Sequence, residues 1–206
     1  MTSHETSIRS VCVYCGSQPG HDGAYVRAAE ILGQSIASHG LRLVYGGGTT
    51  GIMGTVGRAV KSHGGGVTGI IPDFLFGREN VARDSAFIDD LVVTGDMHER
   101  KHKMFERADA FVTLPGGIGT LEEIVEIMTW AQLGRHRKPM VLANVNGFWD
   151  PLMALIDHMR SAGFIHTGHL VQPILVSDPS DIVPAILRAA RENCATEGDA
   201  AVLSRM

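Results

Sequence analysis

The chain has 206 residues, enough for one domain with a continuous core, and its 44% hydrophobic and 19% charged residues are ordinary for a globular protein. A net charge of −4 at pH 7 gives no basic footprint for a nucleic acid, so none is expected as a partner. No run of about 18 apolar residues is present to span a membrane, and the polar start Met1 to Ser10 lacks the apolar stretch of a secretion signal; a cytoplasmic location is expected.

Taken in chain order, short apolar runs alternate with helical patterns. The first strand candidate, 10–15, holds Cys12 and Cys15. With period-2 alternation these two thiols point to opposite faces, which suits a structural role better than a redox pair. Together with Cys194 they make an odd count, against a disulfide framework. A helix over 22–39 follows, then a strand over 41–45 that runs into Gly46-Gly47-Gly48, and a helix over 51–63. After a strand over 67–71 comes the longest irregular stretch, Pro72 to Asp90, a length that often marks a lid or binding loop. Beyond it lie strands 91–94, 109–114, 139–143 and 173–176, with helices 97–107, 120–133, 148–161 and 179–192. Several strands are almost wholly apolar, as in Ala110-Phe111-Val112, which fits strands covered on both faces. The pattern predicts an α/β three-layer sandwich with a doubly wound parallel sheet, Rossmann-like, of about seven strands. One domain over 9–192 is expected, with flexible tails at 1–8 and 193–206.

The most informative stretch is Leu114-Pro115-Gly116-Gly117-Ile118-Gly119-Thr120-Leu121-Glu122-Glu123, between a strand and a helix. Glycines at such a junction let a ligand approach the main chain. The free N–H groups and the dipole at the helix start favour an anion, most often a phosphate. In this topology ligands bind outside the carboxyl ends of the strands. Cys15-Gly16-Ser17, Gly46-Gly47-Gly48 and Met97 to Lys101 fall at that same edge.

Each motif has competing readings. Gly46 to Gly51 also fits Gly-x-Gly-x-x-Gly, with Asp73 placed 22 residues after Gly51 like a ribose-binding acid. A dinucleotide fingerprint sits on the first strand–helix turn, however, and this one is on the second. A tight structural turn and a loop lining a mononucleotide site are the alternatives. Arg100 and Lys101 open a helix, where the dipole disfavours cations, so an anionic ligand is a reason for them to be there. Glu122, Glu123 and Glu126 crowd the start of theirs, where acids are favoured without any function. Ten histidines show no ligand spacing, so neither metal nor cofactor is expected.

Pro115 to Glu123 reads Pro-Gly-Gly-x-Gly-Thr-x-x-Glu and resembles the hallmark of the LONELY GUY family of cytokinin riboside 5′-monophosphate phosphoribohydrolases, also labelled lysine decarboxylase-like. Cys15-Gly16-Ser17, Tyr45-Gly46-Gly47-Gly48, Gly51-Ile52-Met53-Gly54, Met97-His98-Glu99-Arg100-Lys101 and Thr129-Trp130-Ala131-Gln132-Leu133-Gly134 match in the same order, across roughly residues 11 to 177. The resemblance implies hydrolysis of the N-glycosidic bond of an N6-modified adenosine 5′-monophosphate, to free base and ribose 5-phosphate. It implies Arg100 and Glu123 as catalytic, with Glu123 either opposing the ribosyl cation or orienting water. It implies substrate contacts from Ser17, Gly47, Gly48, Met97, Lys101, Gly116, Gly117, Gly119, Thr120 and Thr129, with Glu79 added from the Pro72–Asp90 loop. A homodimer along helices near the site is implied as well. A non-catalytic nucleotide carrier would share the glycine loops. A pyridoxal-dependent decarboxylase has no support, because no lysine stands out as a Schiff-base candidate.

Overall fold

The computed structural model describes residues 8–76, 85–165 and 173–203. Its centre is a seven-stranded parallel sheet in the order β4-β3-β2-β1-β5-β6-β7. The strands are β1 Ser10–Tyr14, β2 Arg42–Tyr45, β3 Gly66–Pro72, β4 Asp90–Thr94, β5 Ala110–Thr113, β6 Met140–Ala143 and β7 Ile174–Val176. Between them run α1 Gly23–Ser38, α2 Gly51–Ser62, the four-residue α3 Asp73–Phe76, α4 Met97–Glu106, α5 Ile118–Gln132 and α6 Asp150–Ser161. The last helix, α7, covers Ile182–Leu203 and so continues past the expected end at 192.

Alternation along the central strands feeds two separate cores. Val11 and Val13 of β1 face Leu32 and Ile36 of α1, Val56 and Val60 of α2, and Ile186 of α7. Cys12 and Tyr14 face Met104 of α4, Ile124 and Ile127 of α5, and Ile156 of α6. Cys15 joins the first core and Cys12 the second, so the thiols do lie on opposite faces. Burial, which penalises a thiolate, raises the titration points of both.

Local chemistry sets the helix starts. Asp22 caps α1 by accepting from the Ala24 N–H at 2.8 Å. Asp96 caps α4 through the Glu99 N–H, and the Glu99 carboxylate reaches back to the Gly95 N–H, both at 2.8 Å. The stretch Pro72–Asp90 is not wholly irregular: it holds α3 and a 3₁₀ turn at Ser85–Phe87. Its later part is pinned, with Phe87 against Gly57 and the Asp89 carboxylate accepting from Val67 N at 2.8 Å and pairing with Lys61.

Strand order reverses at β1, whose neighbours are β2 on one side and β5 on the other. That switch point opens a crevice between the β1–α1 and β5–α5 loops at the carboxyl edge of the sheet. No helix among the described residues is long and apolar enough to cross a membrane.

Candidate active site

At the switch point the two loops are tied together. The Leu114 N–H donates to Tyr14 O at 2.9 Å, and the Gly16 N–H to Pro115 O at 3.1 Å. Gly116 sits in the tie: a Cβ there would lie 2.2 Å from Thr120 Oγ1 and 2.9 Å from Gly16 N. Gly117 and Gly119 differ. A Cβ on either would meet no atom of the described residues within 4 Å, so the fold itself does not require glycine there. Gly117 is also the N-cap of α5, in extended conformation and without a side chain to cap the first turn. The N–H groups of that turn thus lack a side-chain cap, the arrangement that receives an anion.

One turn into α5, Glu123 is 7% exposed, and Arg100 of α4 is 8% exposed. Arg100 Nη1 lies 3.2 Å from Glu123 Oε1. The same guanidinium donates from Nε to the Ile70 carbonyl at 3.1 Å and lies against Met97 Sδ at 4.0 Å. Gly46 provides its seat, since a Cβ there would fall 2.1 Å from Arg100 Nη2. Gly47 turns the chain at φ +77, a backbone conformation that favours glycine. Gly51, φ +57, lets α2 start against the Ser17 carbonyl, which also accepts from Thr50 Oγ1 at 3.2 Å. The second glycine run thus shapes protein contacts at Gly46 and Gly51, which weighs against its reading as a dinucleotide fingerprint.

Burial raises the Glu123 carboxyl to about 7; the Arg100 charge opposes the shift, and Glu122 and Glu126 add to it. A carboxyl poised there can hold or release a proton near neutral pH. Lys101 is held differently. Its ammonium pairs with Glu122 at 2.5 Å and Glu126 at 3.2 Å, with the side chain 11% exposed. Burial works to lower the Lys101 titration point, but these two bonds prevail and raise it.

The structure therefore brings Ser17, Gly47, Gly48, Met97, Arg100, Gly116, Gly117, Gly119, Thr120 and Glu123 to one edge of the sheet. Lys101 adjoins them but is engaged by two carboxylates. Thr129 does not join them: it is exposed and donates to Val125 O at 2.8 Å. Six residues from Glu123 is about 240° of rotation along the mean turn, hence another face of α5. Glu79 lies outside the described residues. Three participants had no distinct signal in the sequence: Gly46 as a seat, the Ile70 carbonyl as an acceptor, and Glu126 as the second carboxylate on Lys101.

Comparison with known proteins gives one family. Residues 53–186 match the family model described as "Possible lysine decarboxylase". A probable cytokinin riboside 5′-monophosphate phosphoribohydrolase of Oryza sativa subsp. japonica, LOGL9, is 44% identical over 92% of this chain and 80% of its own. The rice cytokinin riboside 5′-monophosphate phosphoribohydrolase LOG is 46% identical over 84% of this chain and 69% of its own. Arabidopsis thaliana LOG7, of the same description, is 43% identical over 87% and 81%. Among solved structures, TM1055 has a TM-score of 0.69 at 23% identity, over 88% of this chain and 99% of its own. The molybdenum cofactor carrier protein of Chlamydomonas reinhardtii has 0.66 at 20%, over 89% and 98%. At those identities the two structures speak to the fold alone.

Proposed function

This chain belongs to the LONELY GUY family of cytokinin riboside 5′-monophosphate phosphoribohydrolases, and from that premise we propose how its residues hydrolyse the N-glycosidic bond of an N6-modified adenosine 5′-monophosphate. The observation that carries the reading is the buried Arg100–Glu123 pair one turn from an uncapped, glycine-lined helix start. The 5′-phosphate sits on the N–H groups of Gly117 to Thr120, and the ribose lies over β1 toward Glu123. As the C–N bond breaks, positive charge develops on the ribosyl ring, and the Glu123 carboxylate opposes it. Water supplies the oxygen to the anomeric carbon, and the base leaves with a proton. Arg100 fixes the carboxylate through Nη1 and is itself fixed by the Ile70 carbonyl. Ser17, Gly47, Gly48 and Met97 line the same edge. Lys101 acts here mainly by clamping α4 to α5. A carrier on the same glycine loops would gain nothing from a buried carboxyl poised near neutrality.

AMP is the simplest ligand of this site. The protein works as a homodimer, supported by an exposed apolar stripe on α5 in which Ile118 and Leu133 are 81% and 71% exposed. A cytoplasmic setting suits its free cysteines, and the −4 charge favours no nucleic-acid partner. The test is release of base from N6-isopentenyl-AMP and AMP, against the corresponding nucleosides. Several charge-assisted contacts at ~1.5–3 kcal/mol each predict a preference of at least about 100-fold for the monophosphates. Equal rates on AMP and adenosine would overturn the phosphate assignment, and no base release from either nucleotide would overturn the activity.

A further inference from the structure

A second cleft, of about 230 Å³, adjoins the glycine loop. It lies at the edge of the sheet between the two cores: Tyr25 and Ile52 belong to the α1–α2 side and Phe148 to the side of α4, α5 and α6. The side chains of Tyr25, Ile52 and Phe148 line it together with Gly16, Pro115 and Gly116, and it shares Ser17 and Gly117 with the phosphate loop, so it is continuous with that site. Nothing in the hydrolytic reaction uses these aromatic residues.

The cleft is built rather than incidental. Tyr25 and Phe148 meet edge to face, with centroids 5.5 Å apart and planes at 77°. Gly20, at φ +72, packs on the Tyr25 ring so closely that a Cβ would lie 2.8 Å from it. Asn146, the one non-glycine residue at positive φ among the described residues, donates from Nδ2 to Asp22 at 2.7 Å. That bond ties the loop bearing Phe148 to the start of the helix bearing Tyr25. Opposite the rings, Gly16 and Gly116 offer flat main chain, and their close approach leaves no room for side chains.

The dimensions select the occupant. The cleft falls below the ~300–1,000 Å³ of sites for drug-sized ligands, so it suits one ring system rather than a whole nucleotide. Aromatic edges on one side and glycine backbone on the other leave a slot for a planar ring. At the rim, exposed Gln18 offers an amide donor and acceptor, the pairing that reads the edge of an adenine. We propose that this cleft is a second base subsite, taking one planar heteroaromatic ring between Phe148, Tyr25 and the Gly16–Gly116 backbone, with Gln18 on its edge. The ring comes either from free base or from the second base of a dinucleotide whose phosphates lie on the start of α5. Only the dinucleotide route rests on the phosphate assignment made above.

Calorimetry on the chain carrying Glu123→Gln, which is expected to slow turnover about 100-fold or more, tests this. The probes are AMP, adenine added to the AMP-saturated protein, and diadenosine diphosphate. Base–aromatic stacking predicts either a second one-to-one site for adenine, or diadenosine diphosphate binding about tenfold or more tighter than AMP. Whichever gain is seen identifies the source of the ring. It should fall by about tenfold in Phe148→Leu and measurably in Gln18→Ala, with AMP affinity altered less than about twofold. Gln18 is exposed, so that variant reports even if Phe148→Leu unfolds. The subsite is overturned if neither gain appears, or if the gain survives Gln18→Ala and a folded Phe148→Leu. Wild-type hydrolysis of N6-isopentenyl-AMP and AMP is followed in parallel; failure on both would sink the phosphoribohydrolase reading while the adenine arm still reports on the cleft.

Discussion

At the scale of residues, the proposed mechanism rests chemistry and pH response alike on the Arg100–Glu123 pair. Burial pushes the Glu123 carboxyl up to about 7, above its ordinary 4.5. Between those values the folded chain holds a proton that the unfolded chain has lost, so stability falls as pH rises through the window. At 1.36 kcal/mol per unit the loss amounts to at most about 3 kcal/mol. Glu123→Gln removes this dependence, so its Tm relative to wild type should rise between about pH 5 and pH 8. A flat difference in Tm would mean that Glu123 is not shifted. The carboxylate opposes positive charge only when ionised, so wild-type turnover should climb through about pH 7. In Glu123→Gln turnover should drop about 100-fold or more, on the order of 2.7 kcal/mol, in base-release assays. Glu122→Gln should do far less, because Lys101 keeps Glu126. Arg100→Ala is a poorer probe than the sequence suggests. Its guanidinium is buried, and deleting it strands Glu123 unpaired, which costs about 3–5 kcal/mol where the charge stays buried.

At the scale of elements, glycine separates what the fold needs from what the ligand needs. Gly33 lies where α1 crosses α2: a Cβ there would be 2.6 Å from Ala59 Cβ and 2.9 Å from the Val56 carbonyl oxygen. Gly33→Ala gains about 0.5–1 kcal/mol of helix preference but loses about 1–3 to overpacking, so a lower Tm is expected. Gly119 meets open space near the start of α5, and Gly119→Ala should leave Tm equal or slightly higher. Its KM for AMP should nevertheless rise, by about tenfold to 150-fold if one contact of ~1.5–3 kcal/mol is lost. A drop in Tm with unchanged KM would reverse the assignment. This division also explains what was legible. Pro115 to Glu123 announces a phosphate loop because its chemistry is local and contiguous. The roles of Gly46 and Ile70 are not legible, because both depend on where α4 lays the Arg100 guanidinium across β2 and β3. Lys101 was read against the helix dipole alone, but the Glu122–Glu126 clamp is a contact between helices.

At the scale of the whole molecule, the doubly wound sheet was legible because the central strands are short apolar runs and the crossovers, Pro72–Asp90 excepted, are helical patterns. The end of α7 was less so: helical periodicity fades after 192, yet the backbone continues as helix to Leu203. The resemblance implies a homodimer along helices near the site; within Thr129-Trp130-Ala131-Gln132-Leu133-Gly134, Trp130 is half-buried in the chain's own core, against Phe105 at 4.8 Å. The exposed stripe instead runs through Ile118, Glu122, Val125, Thr129 and Leu133, steps of three and four residues that share one helix face. Three of these are apolar and 81%, 44% and 71% exposed, an arrangement that water alone does not favour. A second copy seated there would cover the outer face of the helix whose first turn is the proposed phosphate site. Light scattering should therefore give about twice 22.1 kDa for wild type. Leu133→Lys, one charge at the solvent end of the stripe, should shift that mass toward the monomer. It lies far along α5 from Gly117, so a phosphate site complete in one chain would keep its KM for AMP. A raised KM accompanying the monomer would show that α5 needs the partner to hold its first turn in place. An unchanged dimer in Leu133→Lys, and again in Val125→Lys, would move the interface elsewhere.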